Sequence, residues 1–377
     1  MTKKKILRVS TIPLSLNILL VGQLRTMNEN YEVVAVSSPG KDLEEVARRE
    51  GVRTVELPME RRISLWKDLK SLVAMIRLIR KEKPWMVHSL TPKAGLVSML
   101  AARLCGVPVR IHTFTGLVFP TSTGLKRKLL MFTDRLTCSC ATLVNPEGEG
   151  VKHDLEQYGI CRKPMTIIGN GNVNGIDLDY FQRTDEVMLE AQKYQKPGVT
   201  TYCFVGRIVG DKGMNELVSA FDRLYRENPT IRLLLVGPFE EELDPVTPET
   251  RNMIENHPAI EAVGWQSDVR PFLAASDIFV FPSYREGFPN VVMQAGAMGL
   301  PTIATRINGC TEIIQPGING VLIPSKNEEA LYTVLRETVN EPERWKEMAL
   351  QARESIASRY ERKAFWKEMK ALYASLE

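Results

Sequence analysis

Side chains that could bind a ligand are spaced along the segment 283–299. Glu286 comes shortly after the apolar run 278–281, which predicts a buried strand, and Gln294 lies about one turn into the predicted helix that follows. A second apolar run, 301–304, predicts the next parallel strand. The loop between strand and helix then lies at the carboxyl end of the strand, where ligands of open α/β sheets bind. Free amides at the helix start suit a phosphate, so the segment predicts a site for a phosphorylated, hydroxyl-rich molecule. Alternatively, the segment is an ordinary strand–loop–helix unit of an α/β protein that binds no ligand.

A second candidate loop follows the predicted strand 200–205 and reads Gly206-Arg207-Ile208-Val209-Gly210-Asp211-Lys212-Gly213. Glycines allow the backbone to approach an anion closely, and Arg207 and Lys212 supply the opposite charge. The loop lacks the GxxxxGK[ST] pattern of a P-loop. Arg207 and Lys212 could also be ordinary charges of a surface loop.

Both loops need parallel sheets to position them, and the hydrophobic pattern predicts such sheets. Predicted strands alternate with predicted helices from the amino terminus onward, which indicates a doubly wound parallel α/β fold. A chain of 377 residues is long for one core and indicates two domains. The predicted elements include strands at 5–12, 31–37, 52–57, 141–145, 200–205 and 232–237, and helices at 16–29, 41–50, 61–83, 214–227 and 359–376.

Composition excludes several other classes of protein. Six cysteines form no CxxC pair, and four histidines form no HExxH pattern, so neither a disulfide framework nor a dedicated metal site is expected. No apolar run is long enough to span a membrane. The run after Lys3-Lys4-Lys5 is interrupted by Arg8, Ser10 and Pro13 and lacks a cleavage site, so we expect a cytoplasmic protein.

The motifs around Glu286 resemble the E-x7-E region of retaining glycosyltransferases of family 4, which have the GT-B fold. The resemblance rests on Ser283–Gly299 together with Gly264-Trp265-Gln266-Ser267-Asp268-Val269, Ala275-Ser276-Asp277, Gly299-Leu300-Pro301 and Asn308-Gly309-Cys310-Thr311-Glu312. It implies two Rossmann-like, doubly wound domains facing a cleft. The acceptor-binding domain would comprise residues 1–178 with a returning helix at 359–377, and the nucleotide-sugar-binding domain residues 179–358.

The resemblance also implies the reaction and the site residues. A sugar would pass from a nucleotide-diphosphate donor, UDP-linked in the leading hypothesis, to an acceptor hydroxyl, and a donor phosphate oxygen would take the acceptor proton. No metal or other cofactor is expected. The implied catalytic residues are Glu286, Arg207, Lys212 and His112. The implied donor-binding residues are Gly206, Gly264, Trp265, Gly287, Phe288, Pro289, Asn290, Val291 and Gln294, and His88, Lys93 and Thr115 are candidates for acceptor or phosphate contacts.

Three departures from the family pattern keep alternatives open. Gln294 replaces the second motif glutamate, Thr115 stands where many members have a histidine, and Thr11–Ser15 replaces a glycine pair. An amide keeps an acceptor oxygen but loses charge, so weaker donor binding is expected from Gln294. A non-catalytic GT-B module that binds a nucleotide sugar, a GT-B epimerase and a phosphorylase are the other readings. Trp265 could stack on the nucleotide base or pack at the rim of the core. His88 and His112 could equally be structural.

The charge distribution adds a hypothesis about the acceptor. Residues 1–180 carry 27 Lys and Arg against 17 Asp and Glu, a net of +10, and the remainder carries 22 against 28, a net of −6. Two basic helices, 61–83 and 124–130, could rest on an anionic membrane; alternatively the first is a surface helix that packs Leu65, Leu69, Leu72 and Ile76 inward. We therefore expect a polyprenyl-diphosphate-linked acceptor in surface glycan synthesis and peripheral membrane contact, with no nucleic-acid partner.

Overall fold

The computed structural model describes residues 3–60, 64–242 and 244–377, and these form two compact units. The first unit runs up to Gly175 and includes Arg362–Glu377, and the second unit comprises Ile176–Glu361. Arg61, Arg62 and Ile63, at the start of one predicted helix, and the side chain of Leu65 lie outside the described part of the chain.

The first unit is built on a six-stranded sheet in the order β3-β2-β1-β4-β5-β6, and every pair is parallel. Its strands are β1 (Lys5–Val9), β2 (Glu32–Ser37), β3 (Arg53–Glu56), β4 (Met86–Leu90), β5 (Val109–Phe114) and β6 (Leu143–Pro146). Its helices are α1 (Pro13–Leu19), α2 (Gln23–Asn28), α3 (Lys41–Glu50), α4 (Leu65–Glu82), α5 (Pro92–Leu104), α6 (Gly124–Cys140), α7 (Glu149–Gln157) and α16 (Arg362–Ser375).

The second unit repeats this plan with the strand order β12-β11-β10-β7-β8-β9, again all parallel. Its strands are β7 (Thr200–Val205), β8 (Ile231–Val236), β9 (Ile260–Gly264), β10 (Ile278–Phe281), β11 (Thr302–Thr305) and β12 (Gly320–Ile323). Its helices are α8 (Asp185–Ala191), α9 (Met214–Glu227), α10 (Pro248–Asn256), α11 (Arg270–Ala274), α12 (Asn290–Ala297), α13 (Cys310–Ile313), α14 (Glu328–Asn340) and α15 (Pro342–Tyr360). The predicted α/β class with two doubly wound parallel sheets is confirmed.

Two predicted helices are wrong in extent. The helix expected at 16–29 is two helices, α1 and α2, because Gly22 between them adopts φ +77° and lies against the indole of Trp366. A Cβ at Gly22 would lie 2.8 Å from that indole, so no other residue fits there without a shift. The helix expected at 359–376 likewise divides at Glu361, which ends α15 and precedes α16.

The packing of α4 also differs from the expectation. Met75 and Ile79 are buried, whereas Leu69 is 50% exposed and Trp66 and Val73 on the same side are exposed as well. The inward direction predicted for Leu69 is therefore wrong. Helix α4 carries apolar side chains on two faces, and only the face with Met75 and Ile79 is buried in the core of the first unit. In the described part of the chain, no helix is long and apolar enough to cross a membrane.

A buried chain of polar groups holds α16 against the first sheet. Arg8 Nη1 donates to the Tyr373 hydroxyl at 3.1 Å, and that hydroxyl lies 2.6 Å from His88 Nδ1. On the other side of the ring, His88 Nε2 lies 2.7 Å from Thr113 Oγ1, which donates to Asn145 Oδ1 at 2.8 Å. Burial lowers the pKa of the Arg8 guanidinium and lowers that of His88 well below its usual range. These hydrogen bonds thus link four strands of the sheet, β1, β4, β5 and β6, to the last helix.

The buried histidines make the stability of the fold depend on pH. Burial lowers the pKa of His112 to about 3, against 6.5 for an unperturbed group, so the unfolded chain binds this proton first as the pH falls. The contribution of His112 is therefore present above about pH 6.5 and is lost progressively toward pH 3. Asp134 acts in the opposite direction, because burial raises its pKa to about 7.

We predict that, when the pH falls from 7.5 to 5.0, the wild type loses about 2 kcal/mol more unfolding free energy than His112→Gln does. The contribution of Asp134 to the pH dependence cancels in this comparison, because Asp134 is present in both proteins. Urea unfolding at the two pH values measures the difference. His153→Gln makes the same exchange at an exposed position and is the matched control. Equal pH dependence in wild type and His112→Gln would contradict the prediction.

Candidate functional site

The candidate site lies at the carboxyl edge of the second sheet, where the chain order of the strands reverses between β7 and β10. Such a switch point opens a crevice, because the connections from the two adjacent strands leave in opposite directions. The loop after β7 carries Lys212, and the loop after β10 carries Glu286. The two residues are 74 apart in the chain, and the parallel pairing of β7 with β10 brings their loops side by side.

Lys212 and Glu286 form an ion pair at this switch point. The Lys212 ammonium donates to Glu286 Oε1, and the two side chains are only 17% and 19% exposed. Ser283 donates to the same carboxylate oxygen at 3.1 Å. The Lys212 ammonium also lies 5.7 Å from the centre of the Phe281 ring. The pair is therefore held between polar neighbours on one side and the end of β10 on the other.

Glycines allow these loops to approach one another. Gly213 follows Lys212 with φ +71°, and a Cβ there would lie 2.2 Å from the Pro282 carbonyl oxygen. Gly309 has φ +73°, and its Cβ would meet Pro289 Cδ at 2.5 Å and the Gly287 carbonyl at 2.6 Å. Both positions require a residue without a side chain, because the space is filled and the backbone conformation is left-handed.

Helix α12 starts beside the ion pair. Pro289 precedes its first residue, Asn290, with extended backbone angles, and the described residues provide no side-chain cap. Its first amides therefore give the site a region of positive potential. Gly299 ends the turn after this helix with φ +81°, and Gln294 is half-buried one turn from the start. Cys310 lies close by, and its thiol pKa is raised by burial and by the Glu286 charge.

Three other predicted donor-binding residues, Gly206, Gly264 and Trp265, follow strands β7 and β9 or end them. Gly206 and Gly264 extend the edge of the sheet, because Gly206 N donates to Val236 O and Gly237 N donates to Gly264 O, each at 2.9 Å. Trp265 is 71% exposed beside them.

Of the predicted donor-binding residues in the β10 loop and α12, Phe288 and Val291 differ from each other in burial. The Phe288 ring is buried against Tyr360, with 5.5 Å between the ring centres, so only its backbone faces the loop surface. Val291, in the first turn of α12, is half-buried.

Arg207 turns away from the Lys212 pair. Its guanidinium donates to the carboxylate of Glu240, which follows β8 on the other side of β7. The structure thus brings Lys212 and Glu286 together and places Arg207 in a separate ion pair. The role expected for Arg207 stays a prediction.

The candidate residues of the first unit are mostly interior. His112 is 1% exposed, accepts or donates a hydrogen bond with Ser89 Oγ at 2.9 Å, and lies against Gly95, where a Cβ would come within 2.3 Å of the ring. His88 belongs to the buried polar chain that reaches Tyr373. Lys93 donates to Asp68 at 2.7 Å, and Thr115 is half-buried after β5. Direct ligand contact by these four residues stays a prediction.

The first sheet also has a switch point, between β1 and β4, and threonines occupy it. Thr11 Oγ1 lies 2.8 Å from Thr91 Oγ1 and accepts from Ala94 N, an early amide of α5, at 3.1 Å. Thr91 has φ +68°, which is strained for a β-branched residue. Thr91 was not among the predicted site residues, because neither its positive φ nor its hydrogen bonds with Thr11 can be recognised from the sequence.

Comparisons with known proteins identify the class. A profile described as "Glycosyl transferases group 1" matches residues 199–341, and one described as "Glycosyl transferase 4-like domain" matches residues 20–171. The chain is 31% identical to the capsular polysaccharide biosynthesis glycosyltransferase CapM of Staphylococcus aureus, over 99% of this chain and 97% of CapM. It is 27% identical to the Escherichia coli UDP-Gal:alpha-D-GlcNAc-diphosphoundecaprenol alpha-1,3-galactosyltransferase, over 82% of this chain and 80% of that protein.

Solved structures agree on the fold. Anabaena HepE, determined in complex with UDP and glucose, superposes with a TM-score of 0.82 at 16% identity, over 99% of this chain and all of that one. The two units and these similarities define a glycosyltransferase with the GT-B fold. The chain belongs to the family of group 1 glycosyltransferases with a 4-like amino-terminal domain, and the resemblance and enzyme class expected from the sequence are confirmed.

We predict that Gly213→Ala destabilises the second unit more than Gly299→Ala. Both glycines have positive φ, so each alanine costs about 1–2 kcal/mol of conformational energy. Only Gly213 also faces a backbone oxygen within 2.2 Å; at Gly299 none of the described atoms lies within 4 Å of the added carbon. Urea unfolding of both variants measures the difference. Equal losses would show that the Lys212 turn is not packed against Pro282.

Proposed function

We propose that this protein is a retaining glycosyltransferase that moves a sugar from a nucleotide-diphosphate donor, most directly a UDP-sugar, to a hydroxyl of a lipid-linked acceptor. The observation that carries the proposal is the Lys212–Glu286 pair at the switch point of the second sheet, beside the start of α12. The E. coli relative, whose name includes a UDP-sugar and an undecaprenol-diphosphate acceptor, supports the choice of substrates.

The chemistry follows the charge that develops as the donor breaks. When the bond between the sugar carbon and the diphosphate oxygen breaks, negative charge grows on the diphosphate. The Lys212 ammonium has three N–H donors and uses one on Glu286, so it can also hold a phosphate oxygen. The first amides of α12 add a second source of positive potential. With these groups fixed in the protein, the transfer needs no divalent cation.

Glu286 would bind hydroxyl groups of the donor sugar. Its carboxylate is already oriented by Lys212 and Ser283, which reduces the reorganisation needed when the donor binds. The acceptor hydroxyl then attacks the sugar carbon on the face from which the diphosphate leaves. It gives its proton to a donor phosphate oxygen, so no protein side chain has to act as the base. Gln294 would bind the ribose hydroxyls through its amide.

The first unit offers a surface for the membrane that would hold such an acceptor. Helix α4 exposes Trp66, Leu69 and Val73, at i, i+3 and i+7, and α6 exposes a matching row, Leu125, Leu129 and Phe132. Both helices pack against α5. We call these six side chains the apolar patch.

Exposed lysines are interleaved with the patch, including Lys67 and Lys70 on α4 and Lys126 and Lys128 on α6. Apolar side chains among basic ones suit an interface with anionic lipid. The protein would then work at the cytoplasmic face of the membrane.

The transfer reaction is tested by incubating the protein with a panel of nucleotide sugars and polyprenyl-diphosphate-linked acceptors and following products by mass spectrometry. We expect Lys212→Ala and Glu286→Ala to lower kcat about a hundredfold or more, because each removes a group that acts at the reacting bond. Lys193→Ala breaks an exposed Lys–Glu pair of the same unit and is the matched control. NMR of the product distinguishes retention from inversion.

Transfer with an inverted anomeric centre would contradict the retaining mechanism. Binding of the donor without transfer or slow hydrolysis would instead favour a non-catalytic nucleotide-sugar-binding module.

Membrane contact is tested by flotation with vesicles that contain anionic phospholipid. We expect the double variant Trp66→Ser/Leu125→Ser to lose tenfold or more of its vesicle binding, since these side chains are 78% and 82% exposed and each contributes about 1–2 kcal/mol when buried. Leu350→Ser, at a position 84% exposed in the second unit, is the control and should bind like the wild type. Equal binding of all three proteins would show that the apolar patch does not contact the membrane.

A further inference from the structure

The loop that carries Glu286 is held by bonds that none of the predicted site residues makes. Thr305 Oγ1 donates to the Ser283 carbonyl, and Tyr284 N donates to the Asp211 carbonyl at 2.8 Å. Arg285 Nη2 donates to the Asp211 carboxylate at 2.9 Å. Because Asp211 directly precedes Lys212, the turn after β7 and the loop after β10 are joined through their backbones as well as through the ion pair.

The side chain of Tyr284 extends this connection to α9. Its hydroxyl donates to Glu216 Oε1 at 2.5 Å, and the Lys326 ammonium lies 4.8 Å from the centre of its ring. Helix α9 begins directly after the Lys212 turn, and Glu216 is in its first turn. The bond therefore ties the Glu286 loop to the element that fixes the position of Lys212.

The acidic residues around Tyr284 are costly to keep there. Glu216 Oε2 and Asp211 Oδ1 are buried with no hydrogen-bond partner among the described residues, and Asp244 accepts from Asp211 N at 2.5 Å. Burial and the bond to Glu216 raise the pKa of Tyr284, so the phenol keeps its proton and remains a donor. An apolar contact would hold the loop without leaving buried carboxylate oxygens unpaired. The arrangement thus favours a defined position of the loop over maximum stability.

We propose that Tyr284 and Glu216 are positioning residues that keep the Glu286 carboxylate within hydrogen-bond reach of Lys212. The inference rests on the proposed function, in which Lys212 and Glu286 act on the donor. Without the Tyr284 hydroxyl, the loop keeps its backbone bonds to Asp211 but loses its side-chain attachment to α9. Glu286 then samples orientations in which it neither pairs with Lys212 nor meets the sugar.

The expected kinetic signature separates positioning from general destabilisation. UDP itself has no sugar for Glu286 to contact, so its affinity should stay within about threefold of the wild type in Tyr284→Phe. Turnover requires the sugar and the leaving group to be aligned, so kcat should fall tenfold or more. Glu216→Ala should behave like Tyr284→Phe, and the double variant should be no worse than either, since both remove the same bond.

A matched control exists in the same unit. Tyr332 donates to Glu227 at 2.6 Å and so makes the same type of bond away from the site. Tyr332→Phe should keep kcat within twofold of the wild type. Glu216→Gln, whose amide oxygen can still accept from the phenol, should retain most of the activity that Glu216→Ala loses.

Hydrogen exchange of the full-length protein provides a readout that does not depend on activity. Amides of the peptide 283–290 should exchange faster in Tyr284→Phe than in the wild type and should be unchanged in Tyr332→Phe. Unchanged exchange in this peptide, or a kcat for Tyr284→Phe equal to that of Tyr332→Phe, overturns the inference. If the wild type transfers and hydrolyses no donor, the proposed function fails, and the exchange result alone decides whether Tyr284 holds the loop.

Discussion

The candidate site of the second unit depends on one contact, the ion pair between the turn after β7 and the loop after β10. Two parallel strands that are neighbours in the sheet but distant in the chain end at the same edge, so their loops must either separate or join. Here they join through the Lys212–Glu286 ion pair and through a hydrogen bond to the Asp211 carbonyl. Glycines, which have no side chain, allow the two loops to come this close. The result is a pair of opposite charges, held by hydrogen bonds from both loops, just before the start of α12.

The first unit solves a different problem. Its last helix, α16, comes from the far end of the chain and must be fixed to a sheet built from the beginning. Apolar packing does part of this, and the buried hydrogen-bond chain from Arg8 through Tyr373 and His88 sets the position of the helix. The same unit leaves apolar side chains of α4 and α6 uncovered among basic residues. Internal polar contacts thus fix the last helix, while the exposed apolar side chains of α4 and α6 remain available for the lipid contact that we propose.

The sequence predicted the architecture well where a pattern is local. Apolar runs such as 278–281 become strands, and the alternation of strands with helices leads directly to two parallel sheets. It failed where a distant contact decides the conformation. Gly22 divides a predicted helix because Trp366 packs on it. The direction of Leu69 was predicted wrongly because α4 has two apolar faces, and periodicity alone does not show which of them is buried.

The site shows the same division. Motif spacing selected Lys212 and Glu286, and pairing of β7 with β10 places them together. The partner of Arg207 could not be foreseen, since Glu240 follows another strand. Ser283 and Tyr284 lie within the motif and Glu216 lies outside it, but none of the three was selected as a site residue. A hydroxyl or carboxylate carries no signal of this kind until its hydrogen-bond partner is known. The resemblance to a family, rather than composition, supplied the reaction.

The position of the donor diphosphate in a crystal structure of the protein with a UDP-sugar is the most direct measurement. We expect phosphate oxygens within hydrogen-bond distance of Lys212 Nζ and of the first amides of α12, with the sugar against Glu286. A diphosphate bound away from this edge of the second sheet would contradict it.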